Sequence, residues 1–308
     1  MTRYRIIANP ASRRGAAAQL IPVIKEKLKS HNLDFNLIKT ERPLHAEELA
    51  FQAAREGVDV VVAAGGDGTA NEVINGLMQA RTNGSGPAIA VLPIGRGNDF
   101  SFSLGGPATL EEGIEALVQG QQKAIDIGRV TGGDFPEGRY FGNGVGIGFD
   151  AVTGFEAMKL PIKAGFLSYL VAALRTIFIM KAPLVEIQLD NERIEQFSLL
   201  VSIMNGRRLG GGFWSAPNSI GDDGLFDLCI ARNVSKLQML MLVPRFLNGT
   251  QARHPAIHMA RSRKVTVRAL EGSLAAHSDG ETLSYSCKQL EMEILPRQIN
   301  LVIYKNGR

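Results

Sequence analysis

Residues 58–77 constrain this chain more than any other stretch: Val-Asp-Val-Val-Val-Ala-Ala-Gly-Gly-Asp-Gly-Thr-Ala-Asn-Glu-Val-Ile-Asn-Gly-Leu. Residues 58–64 are a β-branched apolar run, the signature of a strand buried on both faces. Gly65, Gly66 and Gly68 then turn the chain. Thr69 and Glu72 have the spacing of a capping box, which predicts a helix starting at Thr69. A strand, a glycine turn and a helix leave backbone N–H groups at a helix N-terminus, where they can hold phosphate. Glycine lets a ligand come close because no Cβ intervenes. Asp67 inside the turn would repel a bare phosphate, so a divalent cation or an ordered water is expected between the two. Ordinary turn glycines are the competing reading; the full run between strand and helix favours phosphate. The phosphate loop G-x-x-x-x-G-K-[ST] is absent, as is G-x-G-x-x-G after the first strand.

The order of elements around this stretch sets the fold class. Short strands are expected at residues 5–8, 35–39, 88–92 and 124–130, with helices ending near residue 30 and spanning 45–55 and 110–118. This alternation predicts an α/β, doubly wound parallel sheet, with ligands at the carboxyl ends of the strands. Four strand ends carry polar or glycine-rich loops: residues 9–15, Thr40, residues 65–69 and residues 95–99. Their convergence on one edge argues for a nucleotide site. After about residue 130, strand-like runs dominate, at 140–148, 184–189, 197–204, 225–232, 264–270, 289–295 and 299–304. Asp190-Asn191 is a hairpin signal. The second half therefore reads as a C-terminal antiparallel β-sandwich domain interrupted by two apolar helices. The expected division is 1–127, rejoined by 297–308, and 128–296.

With 308 residues the chain is long enough for two domains. A net charge of +4 fits an anionic ligand or a membrane surface and is too weak to argue nucleic acid. Cys229 and Cys287 lie in apolar runs and read as reduced core residues, not a disulfide framework. The N-terminal residues run straight into a strand, not a signal peptide, and no apolar run is long enough to span a membrane. The expected location is cytoplasmic, peripherally associated with the inner face of the membrane.

Together the loops resemble the diacylglycerol kinase catalytic-domain family of bacterial lipid kinases, related to sphingosine and ceramide kinases. The resemblance rests on Asn9-Pro10 with its basic loop, Gly65 to Thr69 with Asn71-Glu72, and Pro93-Ile94-Gly95 with Gly97-Asn98-Asp99-Phe100. It continues through Asp126-Ile127-Gly128, Gly146-Ile147-Gly148-Phe149-Asp150-Ala151, Pro217 with Asp222-Asp223-Gly224-Leu225-Phe226-Asp227, and Asp279-Gly280-Glu281. It covers residues 3–304. Gly-Gly-Asp-Gly alone is shared with NAD kinases and phosphofructokinases; the combination is more specific. The resemblance implies an ATP-binding α/β domain, a β-sandwich domain for the lipid, and ATP and Mg2+ as cofactors. It implies nucleotide contacts from Asn9, Pro10, Ser12, Arg13, Arg14, Thr40, Gly65, Gly66, Asp67, Gly68, Thr69, Asn71, Glu72, Gly95, Arg96, Asn98 and Asp99. Asp67, Asp99 and Asp126 resemble the acidic network that holds magnesium, and Asp279 and Glu281 the source of the catalytic base. Asp223 resembles a second, structural metal site, with backbone carbonyls from Ile220 and Leu225. Arg96 stands where the family usually has threonine, so it either contacts a phosphate or obstructs the site.

The residues themselves leave alternatives. In a regular strand Asp279 and Glu281 would share one face, whereas a hairpin turn would leave two solvated acids. Asp222, Asp223 and Asp227 suit a cation loop or a plain turn equally. His254 and His258 have helical zinc spacing, but Pro255 argues against it. Phe166, Leu170, Leu174, Ile177 and Phe178 form an apolar stripe, as do Leu237, Met241 and Leu242. Core packing explains each singly; Lys159, Lys163, Arg175 and Lys181 around the first stripe suggest docking on a bilayer. The expected function is an ATP-dependent lipid kinase acting on a membrane lipid, diacylglycerol first. The alternatives are another long-chain lipid, a soluble acceptor such as NAD, or a nucleotide-binding regulator without catalysis. A homodimer is a possible assembly.

Overall fold

The computed structural model describes residues 2–81, 86–160 and 165–305, with the backbone alone at 165 and 166. Lys163 and the side chain of Phe166 therefore lie outside the described residues. The chain divides into two compact units, Met1–Asp126 with Pro296–Arg308, and Ile127–Leu295.

In the first unit, strands β1 (Arg3–Ala8), β2 (Asp34–Lys39), β3 (Val60–Gly65) and β4 (Ala88–Pro93) alternate with helices. The helices are α1 (Leu20–Ser30), α2 (His45–Arg55), α3 (Asp67–Ala80), α4 (Asp99–Ser103) and α5 (Leu110–Gln119). The strands pair in parallel in the order β2-β1-β3-β4, and Leu301 near the C-terminus pairs in parallel with Ile89 of β4. β3 and β4 are buried along their whole length. That explains why their sequences run apolar without alternation. One face packs Ile6, Val60, Val62 and Leu92 against Ile24 and Leu28 of α1 and Ile114 and Leu117 of α5. Parallel strands put the loops after β1, β2, β3 and β4 on one edge.

α3 starts two residues earlier than expected. Gly66 is its N-cap in an extended conformation, with no side-chain cap, so Thr69 and Glu72 form no capping box. Thr69 lies within the first turn and its Oγ1 accepts from Asn9 Nδ2 at 3.0 Å. Glu72 Oε2 accepts the N–H of Ala46 in α2 at 3.0 Å. A capping box does open α5, at Thr109 and Glu112.

The chain enters the second unit within β5 (Gln122–Gly132) and leaves it within the last strand. Between these come β6 (Phe135–Phe141), β7 (Gly144–Gly148), α6 (Phe149–Lys159), α7 (Gly165–Ile179), β8 (Leu184–Gln188) and β9 (Arg193–Met204). Then follow β10 (Phe226–Arg232), α8 (Lys236–Leu247), β11 (Ile257–Ser262), β12 (Lys264–Glu271), β13 (Leu274–Ser278), β14 (Glu281–Cys287) and β15 (Gln289–Val302). One layer runs β14-β13-β7-β9-β10-β11, and the other β9-β8-β12-β15-β5-β6. β9 belongs to both: Arg193 to Phe197 pair with β8, while Leu200 to Met204 lie between β7 and β10. Its first half alternates in exposure and its second half is buried throughout. Val201 and Ile203 face the core shared by the layers; Leu199 and Leu200 pack with Ile177 of α7 and Met239 of α8. The hairpin expected at Asp190-Asn191 joins β8 to β9.

Three expectations change. The run 140–148 breaks at Gly142-Asn143 into β6 and β7, and 289–304 is a single strand to Val302. α6, β11, β13 and β14 were not expected. His254 caps a short 3-10 turn and His258 sits on β11, so the two share no helix. Cys229 is buried in β10, where burial pushes its thiol up to about 12.

Candidate active site

In the first unit the loops expected to hold phosphate form a cradle shaped by their backbone. Asn9 opens the loop after β1: its N–H donates to Ala64 O, and its Oδ1 accepts from Ala11 N at 3.0 Å. Arg13, Arg14 and Gly15 follow with φ of 53°, 56° and 91°. Three successive left-handed residues turn this loop sharply, and a run of such N–H groups suits an anion. Gly66 and Gly95 meet backbone to backbone, since a Cβ on Gly95 would lie 2.2 Å from Gly66 Cα. A Cβ on Gly65 would lie 2.3 Å from Thr69 Oγ1. These glycines are dictated by packing. Gly68 is different, because a Cβ there meets nothing within 4 Å. Its lack of a side chain serves no contact inside the protein and suits the approach of a ligand.

The loop after β4 closes on this turn. Phe100 N–H donates to Asp67 Oδ1 at 2.9 Å, and Asn98 Nδ2 donates to Gly95 O at 3.4 Å. Arg96 is exposed. Burial and then the charges of Arg14 and Arg13 lower its guanidinium from the usual value, although an arginine stays cationic at neutral pH. Arg13, Arg14 and Arg96 gather positive charge of the kind that suits an anion. Arg96 thus joins the basic loop and does not stand apart from it. Pro10 and Ser12 lie in the same loop, and Thr40 is buried with its N–H on Ala8 O. Asn71 is buried and accepts from Asn75 Nδ2, and Glu72 holds α2.

Among the described residues no three His, Cys, Asp or Glu side chains gather to hold a metal. Asp67, Asp99 and Asp126 are therefore not a three-carboxylate cluster. Asp126 is buried and its Oδ1 accepts from Arg297 N at 2.7 Å; Asp99 is also buried. Magnesium needs only one or two carboxylates when phosphate oxygens complete its shell, and Asp67 at the head of α3 suits that chemistry.

In the second unit, Asp279 and Gly280 form the two-residue turn between β13 and β14, both with positive φ. The expectation of one shared strand face fails, because Asp279 is a turn residue and Glu281 opens β14. Nor are the acids solvated. Asp279 is 3% exposed and accepts the N–H groups of Gly142 at 2.7 Å, Asn143 at 3.1 Å and Gly144 at 2.9 Å. It thereby fixes the break between β6 and β7. Glu281 pairs with Arg139. At the loop where a cation was expected, Asp223 pairs with Arg261 and its Oδ1 accepts from Leu225 N at 3.1 Å. Asp227 lies 3.4 Å from the same guanidinium. Burial raises the Asp227 carboxyl even so. The Ile220 side chain at this loop is exposed.

The second unit also holds a pocket that sequence reasoning missed. Its cavity volume is about 60 Å³, partly open to solvent, and it is lined by α7, α8 and β9 residues such as Ala173, Leu199, Leu200, Met239, Leu242 and Phe246. Its polar lining is Asp150, Tyr169 and Ser215. Asp150 Oδ2 lies 2.8 Å from His277 Nε2, and Tyr169 Oη donates to Oδ1. Burial opposes both charges, yet the pair overcomes it: the Asp150 carboxyl stays below its usual range and the His277 imidazole above its own. Asp150 stood in a motif of the resemblance, but its partner is 127 residues away, so no local signal could find it.

Comparisons with known proteins match the chain in two parts. The profile described as "Diacylglycerol kinase catalytic domain" matches residues 3–130. That described as "YegS C-terminal NAD kinase beta sandwich-like domain" matches residues 143–303. A probable lipid kinase YegS-like from Enterobacter sp. (strain 638) is 32% identical over 250 residues, 81% of this chain and 79% of that protein. A diacylglycerol kinase from Staphylococcus saprophyticus is 27% identical, over 91% of this chain and 88% of its own. Among solved structures, a diacylglycerol kinase from Bacillus anthracis shares the fold with a TM-score of 0.73 at 22% identity, over 100% of this chain and 98% of its own. An NAD kinase from Archaeoglobus fulgidus in complex with ATP shares it at 0.52 and 14% identity, over 99% and 95%. The cradle, the two-part fold and these matches agree that the chain belongs to the diacylglycerol kinase catalytic-domain family and is a lipid kinase.

Proposed function

We propose that this kinase transfers the terminal phosphate of ATP, with magnesium, to a hydroxyl of a membrane lipid, and that the lipid is diacylglycerol. The observation that carries this reading is the apolar pocket of the second unit. A soluble acceptor such as NAD would need polar groups along the lining, where this pocket has only Asp150, Tyr169 and Ser215. Relatives named diacylglycerol kinase from Staphylococcus saprophyticus and Bacillus subtilis support the choice of lipid. The ATP held by the NAD kinase of like fold supports the donor.

Phosphoryl transfer is mostly positioning and charge neutralisation. In this reading Asn9, Gly66, Gly68 and Thr69 frame the phosphates and Arg13, Arg14 and Arg96 neutralise them. Bound magnesium would draw charge off the transferred group, with Asp67 as its protein ligand. Asp279 and Glu281 are the carboxylates proposed to receive the acceptor's proton, and Asp279 also holds the 142–144 turn.

The surface of α7 and α8 supports access from a bilayer. Leu167, Leu174, Phe178 and Ile179 on α7 are exposed, as are Leu237, Leu240 and Met241 on α8. The apolar stripe is thus divided: Ile177 is core, and its neighbours face outward. The basic rim is smaller than the sequence suggests, because Lys159 and Arg175 both pair with the buried Glu156. Lys236 sits over the Phe178 ring. Among the described residues no helix is long and apolar enough to cross a membrane.

Filling the pocket tests the assignment. Ala173→Phe should abolish lipid phosphorylation and leave ATP affinity intact, whereas unchanged turnover of diacylglycerol in micelles would remove the pocket from the mechanism. Phe178→Asp with Leu237→Asp should lose activity on anionic vesicles and keep it on a short-chain diacylglycerol in solution. Equal loss on both would refute docking through these helices.

A further inference from the structure

The pocket's one carboxylate is charge-compensated from behind. Asp150 on α6 sits at 2.8 Å from His277 of β13, and Tyr169 of α7 donates to its other oxygen. The fold clears space for this arrangement. A Cβ on Gly146, the β7 partner of His277, would lie 2.2 Å from Asp150 Oδ2 and 2.6 Å from His277 Nε2. A Cβ on Gly210 would lie 2.6 Å from the Tyr169 ring. Two glycines on separate segments are thus set by the same three side chains.

The charge balance has a consequence for substrate choice. A bare buried carboxylate in an apolar pocket would attract a cation strongly. Diacylglycerol offers a neutral hydroxyl; a sphingoid base offers a hydroxyl beside an ammonium. We propose that His277, by neutralising Asp150, makes the pocket select an uncharged hydroxyl acceptor and reject a cationic amino alcohol. This rests on the reading of the pocket as the acceptor site. His277 acts through Asp150; Tyr169 and Asp150 would meet the acceptor's polar head. The facing acids Asp150 and Asp279 hold the His277 imidazole above its usual range against the opposing effect of burial.

The test measures kcat/KM for dioleoylglycerol and for sphingosine in the same mixed micelles, in the full chain. His277→Asn should raise the sphingosine-to-diacylglycerol ratio by about tenfold or more, since it leaves the carboxylate uncompensated. Adding Asp150→Asn should bring the ratio back, because no charge then remains. A merely structural His277 would lower both substrates together and leave the ratio fixed, which overturns the inference. If His277→Asn is too unstable to assay, His277→Gln, which keeps a donor toward Asp150 without the charge, takes its place with the same expected ratio. If Ala173→Phe leaves turnover of both lipids untouched, the pocket is not the acceptor site, and this inference falls with that reading. A fixed ratio with a pocket that Ala173→Phe does block refutes this inference alone.

Discussion

The two units build their candidate site residues in opposite ways. The first uses backbone: glycines and left-handed residues in loops that follow parallel strands, with arginines nearby. The second uses side chains: an apolar lining and a buried Asp150–His277 pair drawn from α6 and β13. A backbone site can be read from a few adjacent residues, because glycine spacing encodes it. A side-chain site assembled across the chain leaves no such local mark. The contrast also predicts that lesions in the two units separate nucleotide binding from acceptor handling.

The largest effects should come where a Cβ has no room. Gly95→Ala places a methyl 2.2 Å from Gly66 Cα, so the cradle must open. Activity should fall by about 100-fold or more with ATP affinity, as orientation loss of this size does; calorimetric ATP binding would check it. Gly146→Ala is the counterpart in the second unit, with its methyl 2.2 Å from Asp150 Oδ2. It should remove lipid phosphorylation and leave ATP binding at the wild-type value. Loss of ATP binding in Gly146→Ala would break the proposed separation.

Smaller changes sharpen it. Gly68→Ala meets no protein atom, so its melting temperature should hold or rise slightly, while ATP affinity drops by about tenfold. Arg96→Thr should raise the KM for ATP by several-fold, roughly 1 kcal/mol for one exposed charge-assisted contact. A lower KM would mean that Arg96 obstructs the site.

The smallest effect is a pH slope. His277 titrates above its unfolded value, so its contribution to stability is full below about pH 6.5 and fades as pH rises through the raised value. Asp150 titrates below its unfolded value, so its contribution fades only in acid, below about pH 3.9. The stability gap between wild type and His277→Asn should therefore be widest near pH 6, about 1 to 3 kcal/mol, and narrow toward pH 9. Thermal melts across that range would show it; a constant gap would mean that His277 is held by shape alone.

The sequence made the first unit legible because β3 and β4 are buried on both faces and their loops carry glycines. It misplaced the start of α3, since Thr69 and Glu72 match a capping box by spacing while Gly66 does the capping in an extended conformation. The second unit was legible as antiparallel strands and little further. β13 reads Leu-Ala-Ala-His-Ser, too small and polar to announce a strand, and α6 carries Gly154 at its centre. Asp279 stood out through its Asp-Gly-Glu motif, but its bonds to Gly142, Asn143 and Gly144 depend on a contact across more than 130 residues.

The central claim is that the chain phosphorylates a membrane lipid from ATP. The direct measurement is transfer of labelled terminal phosphate with magnesium to a lipid panel in mixed micelles, with NAD alongside. The account predicts label in diacylglycerol, none in NAD, and loss of that label in Ala173→Phe. Label in NAD alone would contradict it and turn the second unit's pocket into a structural cavity.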